Sequence, residues 1–155
     1  NTFFFKTSFR TFEAAGFLRK LGADTIEVKK LFQIDQGSYR CRTELVSATK
    51  LIERALAVAV WEGEPMPDMG VIAAQAADEM LGLDGVEASF VLYQSDGEVN
   101  ISARSLGKLN VQIIMEAMGG GGHLTNAGAQ VLGELPAVQD QLIEVARRHL
   151  HEIQK

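Results

Sequence analysis

One cysteine, three prolines and no uncharged apolar run approaching the roughly 20 residues of a membrane span are the scarcities that first narrow this 155-residue sequence. A single thiol, Cys41, cannot close a disulfide within the chain. This removes the disulfide-stapled secreted scaffolds and points to a reducing, cytoplasmic setting. Charge of one sign is also missing. Fifteen Lys and Arg stand against twenty Asp and Glu, a net charge of −5, so a basic nucleic-acid tail is excluded, and a hydrophobic content of 46% excludes disorder. The histidines, His123, His149 and His151, have no Asp, Cys or Glu at metal-ligand spacing, and the last two are expected to be solvated on a helix. Neither a Walker phosphate loop nor a dinucleotide fingerprint occurs. Phe3-Phe4-Phe5 is too short for a signal peptide, and Lys6 and Arg10 follow it instead of leading. The opening Asn1 to Phe5 reads as a strand end without an initiator Met, as in a piece of a longer protein. What the sequence holds in plenty is glycine: fifteen residues, four of them consecutive at Gly119 to Gly122.

Periodicity divides the chain into two parts. Phe12, Ala15, Leu18 and Leu21 follow a helical rhythm that Gly22 can end in a left-handed residue. Asp24, with Glu27 three residues on, resembles a capping box opening a second helix, and a third is expected from about Tyr39 to Ile52. At Ala55 the composition shifts to Ala-Leu-Ala-Val-Ala-Val-Trp, the signature of a strand buried on both faces, so a domain boundary is placed near residue 53. A helix rich in apolar positions, from Val71 to Leu81, follows the loop around Pro65 and Pro67. Strands at 88–94 and 98–104 then meet across Ser95-Asp96-Gly97, a strong hairpin signal. Alternation in the second sends Val99, Ile101 and Ala103 to one face and Asn100, Ser102 and Arg104 to the other. A short helix through Val111 and Met118 runs into the glycines, 124–132 returns weakly as a strand, and a closing helix starts at Pro136. The expected fold class is α/β, a mixed sheet packed by helices over 54–155, preceded by a mostly helical segment over 1–53.

Two patterns could carry chemistry. Glycines without Cβ atoms let a ligand lie against peptide N–H groups, and such amides suit phosphate oxygens, to which His123 can add a charge-assisted hydrogen bond. A flexible turn followed by an ordinary histidine is the plainer reading of the same residues. Flanking apolar segments and the small polar run Leu124-Thr125-Asn126-Ala127-Gly128 weigh against it. The second pattern is Ser102-Ala103-Arg104-Ser105, where a guanidinium fork at a strand end can grip a phosphate and Ser102 or Ser105 can add a hydroxyl donor. A solvated strand face would look the same. Asn110 is expected to cap the following helix. The acidic balance argues for a small anionic ligand in a pocket rather than long nucleic acid, which needs many Lys and Arg contacts to phosphate.

Taken together, Ser-Ala-Arg-Ser at 102–105, Asn110-Val111 and Gly-Gly-Gly-Gly-His at 119–123 resemble the C-terminal substrate-binding domain of the Asp-His-His phosphoesterase superfamily. Arg10-Thr11-Phe12-Glu13-Ala14-Ala15 with Gly22-Ala23-Asp24 is similar to the last helices of its catalytic domain. Within the superfamily the likeness is greatest to the bacterial membrane-anchored cyclic-di-AMP phosphodiesterases. That resemblance implies a hydrolase in which two manganese ions on Asp and His ligands activate water for in-line attack. Those ligands and the Asp-His-His motif are absent from this sequence, so no catalytic residue and no metal are expected on this chain, which should be inactive by itself. By the same resemblance, Gly120, Gly121, Gly122 and His123 would contact phosphate or ribose, Arg104 and Ser105 would hold phosphate or base, and Thr125 and Asn126 complete the set. The implied partner is a cyclic dinucleotide or short oligonucleotide, with a homodimer admitted. The parent would be membrane-anchored, with this part cytoplasmic and touching no membrane. Phosphatases of short oligonucleotides or phosphoadenosine, and a non-catalytic RNA-binding module, are the alternatives.

Overall fold

A computed structural model describes residues 7–153 and divides the chain into two compact units, 1–35 and 36–155. The strand expected at Asn1 to Phe5 lies outside the described residues. The first unit holds helices α1 (Phe9–Lys20) and α2 (Thr25–Lys30). Gly22 takes the left-handed φ of +97° that ends α1, and the Asp24 carboxylate accepts from the Ile26 amide 2.8 Å away to cap α2. Neither helix buries a residue, and Phe9, Leu31 and Phe32 are each about three-quarters exposed or more.

The second unit is built on a six-stranded sheet in the order β1-β2-β3-β4-β6-β5. Its elements are α3 (Gln36–Ser47), β1 (Lys50–Ile52), β2 (Leu56–Trp61), α4 (Met69–Met80), β3 (Ala88–Ser95), β4 (Glu98–Ser105), α5 (Val111–Ala117), β5 (Gly121–His123), β6 (Asn126–Leu132) and α6 (Leu135–Ile153). β2 and β3 are parallel, with α4 between them in sequence, and every other neighbouring pair is antiparallel. The expected α/β mixed sheet is therefore the fold. The hairpin at Asp96-Gly97 forms as its sequence dictates, both residues at positive φ.

Two apolar clusters flank the sheet. On one face Leu56, Phe90, Leu92, Ile101, Ala127 and Ala129 meet Ile114 and Met115 of α5 and Leu142 and Ala146 of α6. On the other, Ala57, Ala59 and Val91 meet Ile72, Ala73, Ala76 and Met80 of α4, with Cys41 and Leu45 of α3 beyond. Alanines on both partners bring helix and sheet close. Ser89, fully buried between them, donates its hydroxyl to the Ala77 carbonyl at 2.6 Å, which removes the cost of an unpaired polar group.

Two expectations are corrected. The third helix stops at Ser47, and Lys50–Ile52 is a strand paired antiparallel with β2. Glu53 and Arg54 form the tight turn between them at φ of +51° and +60°, a conformation their side chains do not advertise. Arg147 and His151 of α6 hold the Glu53 carboxylate at 3.2 and 2.7 Å. Nor is His149 solvated: its side chain is 14% exposed and its Nε2 is buried without a hydrogen-bond partner.

Candidate functional site: a half-covered sheet face

The register of β4, β6 and β5 builds the site. Arg104 lies opposite Asn126, and Asn126 opposite His123, so one row across the strands carries a guanidinium, an amide and an imidazole on the same face. One step along the strands, Ser102 lies opposite Gly128 and Gly128 opposite Gly121. Two of these positions have no side chain, so the row forms a hollow. A further step brings Tyr93 opposite Asn100 and Asn100 opposite Gln130. The face therefore holds a polar groove with a glycine floor. Its part around Tyr93, Glu98, Asn100, Ser102, Gly120, Gly128 and Gln130 encloses about 540 Å³.

Arg104 is held in place from both sides. Its Nε lies 3.2 Å from the Asp78 carboxylate on α4, and its NH1 donates to the Ala103 carbonyl at 2.9 Å, which leaves NH2 without either contact. Partial burial raises the Asp78 pKa above the ordinary carboxylate range, and the neighbouring guanidinium only partly offsets this. Burial likewise raises the Tyr93 phenol, so it stays a protonated donor at neutral pH.

The glycine run divides into different tasks. Gly119 sits at φ +83° just beyond α5; its amide donates to the Glu116 carbonyl and that of Gly120 to the Met115 carbonyl at 2.7 Å, a Schellman cap. The Gly120 amide is thus already spent on the helix end and is not an open phosphate donor. A Cβ at Gly120 would lie 2.6 Å from the Ala129 Cα, and one at Gly122 would lie 2.6 Å from the Ala127 Cβ, so both positions need glycine for close approach to β6. Gly121 differs. Nothing stands within 4 Å of where its side chain would be. Because β5 is the edge strand, alternate amides of Gly121 to His123 point away from β6. No strand is expected here, since Gly121, Gly122 and His123 include no β-former; only pairing with β6 makes one.

Of the remaining expected residues, Asn126 and His123 lie exposed in the first row. Thr125 forms the Leu124-Thr125 turn between β5 and β6, where its carbonyl accepts from the Ser105 amide at 3.0 Å. Ser105 is not part of the groove. It is fully buried on the opposite face, donating its hydroxyl to the Leu124 carbonyl at 3.1 Å and accepting from the Gly107 amide at 3.3 Å. Ser102 is the serine that the groove receives, as alternation along β4 requires. Tyr93, Asn100 and Gln130 enter the site only through strand pairing. Asn110 caps α5, its side chain accepting from the Gln112 amide at 3.0 Å. Among the described residues no group of three or more His, Cys, Asp or Glu could hold a metal ion, so the residues described do not fit a two-manganese centre. No helix among them is long and apolar enough to cross a membrane.

Over 131 residues the chain is 48% identical to the cyclic-di-AMP phosphodiesterase GdpP of Geobacillus thermodenitrificans, covering 84% of this chain and 20% of that protein. The same identity, over 83% of this chain, relates it to the cyclic-di-AMP phosphodiesterase PdeA of Listeria monocytogenes, again over 20% of the relative. The chain thus spans about a fifth of the length of these relatives. An exopolyphosphatase-related protein from Bacteroides fragilis shares the fold with a TM-score of 0.83 at 17% identity, over 96% of this chain and 46% of that one. Residues 53–152, which contain all the strands from β2 onward and every row of the groove, match the DHHA1 domain model, and the chain accordingly belongs to the DHHA1 domain family of the Asp-His-His phosphoesterases.

Proposed function

We propose that this chain is the nucleotide-holding part of a phosphodiesterase that hydrolyses cyclic-di-AMP to linear diadenylate. The observation that carries the reading is the row Arg104, Asn126 and His123 beside a side-chain-free floor, in a chain 48% identical to cyclic-di-AMP phosphodiesterases. A phosphate seated on that row accepts hydrogen bonds from the guanidinium NH2, the Asn126 amide and the imidazole N–H, each stronger where the donor is charged. The ribose then lies over Gly121 and Gly128. Exposed apolar side chains on α1 and α2 support assigning the first unit, up to residue 35, to the tail of a catalytic domain, whose core would cover them. The hydrolytic chemistry itself belongs to that domain, and this chain alone binds without cleaving. The resemblance also supports a membrane-anchored parent with this part on its cytoplasmic side.

The test is turnover of cyclic-di-AMP by the full-length protein and its His123→Ala variant. Loss of a charge-assisted contact to the reacting phosphate lowers kcat/KM by about 10- to 150-fold, with the melting temperature unchanged because His123 is exposed. Wild-type turnover in the variant overturns the reading. Parallel assays on linear diadenylate and phosphoadenosine separate it from the phosphatase alternative, and titration with short RNA separates it from a binding module.

A further inference from the structure

The groove extends beyond the phosphate row, and its far end differs in chemistry. Arg104 marks one end of the β4 face and Glu98 the other, with Ser102 and Asn100 between. At ~3.4 Å per residue the charged ends stand roughly 20 Å apart, and successive rows about 7 Å apart. The carboxylate of Glu98 repels phosphate from its end. What fits there is the uncharged end of a nucleotide.

The polar groups at that end are already ordered. Gln130 Nε2 donates to Asn100 Oδ1 at 3.1 Å across the two strands. This contact fixes both amides: the Asn100 NH₂ and the Gln130 carbonyl oxygen remain outside it, a donor and an acceptor side by side. Such a pair matches the adjacent amino donor and ring-nitrogen acceptor of adenine, the match that Asn and Gln use on that base elsewhere. Tyr93, opposite Asn100 in the same row, supplies an aromatic wall, and Glu98 can accept from an exocyclic amine. We infer that Asn100 and Gln130, walled by Tyr93, form the nucleobase subsite of this groove and set its preference for adenine. The inference rests on the proposed function, since it takes the row of Arg104 and His123 as the phosphate end.

Turnover by the full-length protein tests it, with cyclic-di-AMP, its guanine analogue cyclic-di-GMP, and bis(p-nitrophenyl) phosphate, a diester without base or ribose. Asn100→Asp removes the donor while keeping the shape; Gln130→Ala removes the acceptor. Each is expected to lower kcat/KM on cyclic-di-AMP by about 5- to 150-fold, carried by KM. The adenine-over-guanine ratio falls with it, and cleavage of bis(p-nitrophenyl) phosphate and the melting temperature are unchanged. Unaltered kcat/KM on cyclic-di-AMP in both variants overturns the subsite while leaving the proposed function standing. Parallel losses on all three substrates also overturn it, showing a general structural role. A wild-type protein that cleaves bis(p-nitrophenyl) phosphate but neither dinucleotide overturns the functional reading, and the subsite with it.

Discussion

Strands β2 and β3 and strands β6 and β5 belong to the same sheet yet live in different surroundings. β2 and β3 are packed on both faces, by α3 and α4 on one side and α5 and α6 on the other. On β6 and β5 the α5 face is apolar, through Ala127 and Ala129, but the α4 face carries Asn126, Gly128 and Gln130, and α4 reaches only as far as the Asp78 contact with Arg104 on β4. The difference separates what is needed for stability from what is free for binding. Where both faces are dry, side chains are fixed by packing; where one is left open, strand pairing alone sets the spacing of polar groups, which suits a ligand of repeating phosphate, sugar and base.

Breaking the covered half should give the largest effect. Phe90→Ala removes a fully buried ring from the centre of the apolar cluster and is expected to lower unfolding free energy by about 3–5 kcal/mol. Chemical denaturation measures this, and a loss under about 1 kcal/mol would show that the cluster repacks freely. Within the open half the glycines sharpen the contrast. Gly120→Ala meets the backbone of β6 and should cost about 1–3 kcal/mol, whereas Gly121→Ala, with open space around it, should stay within about 1 kcal/mol of wild type and still weaken cyclic-di-AMP binding about tenfold. Equal melting curves for the two variants would refute this division of tasks.

The smallest effect lies where the halves meet, at Asp78. Its folded pKa is raised, so the folded state holds its proton more tightly than the unfolded chain. Its contribution to stability is complete below the ordinary carboxylate pKa and is lost as pH rises through the folded value. Melting temperatures of wild type and Asp78→Asn, followed from acid pH to neutrality, should therefore show wild type losing ground slightly as pH rises. The side chain is 40% exposed, which keeps the change small. A relative gain for wild type over that range would mean that attraction to Arg104 outweighs burial.

Much of this was legible because the signals were local. Asp96-Gly97 fixes the hairpin, alternation assigns the two faces of β4, and the Ala-Val run of β2 announces burial on both sides. Arg104 and His123 stand out by type and spacing and Asn126 through the resemblance, but their alignment in one row needs the pairing of three strands that lie side by side in the sheet out of their sequence order, β4-β6-β5. Ser102 and Ser105 both offer a hydroxyl and the resemblance pointed to Ser105, but only the side of the strand decides which one a ligand meets. β1 was hidden because its turn, Glu53-Arg54, lacks turn formers and is held by α6, almost a hundred residues on, as the contact between residues 53 and 151 shows.

The sequence by itself determined the α/β class, the hairpin, the cap at Asn110 and the acidic, glycine-rich character that favours a small anionic ligand. These depend on φ preference, side-chain period and charge, which act between near neighbours. Tertiary structure alone decided which glycines serve close packing and which leaves space, which serine faces the groove, and that Asn100 and Gln130, thirty residues apart, share one hydrogen bond. Those outcomes follow from strand order and register, and register is set by the burial of whole faces at once, a quantity no short stretch of sequence contains.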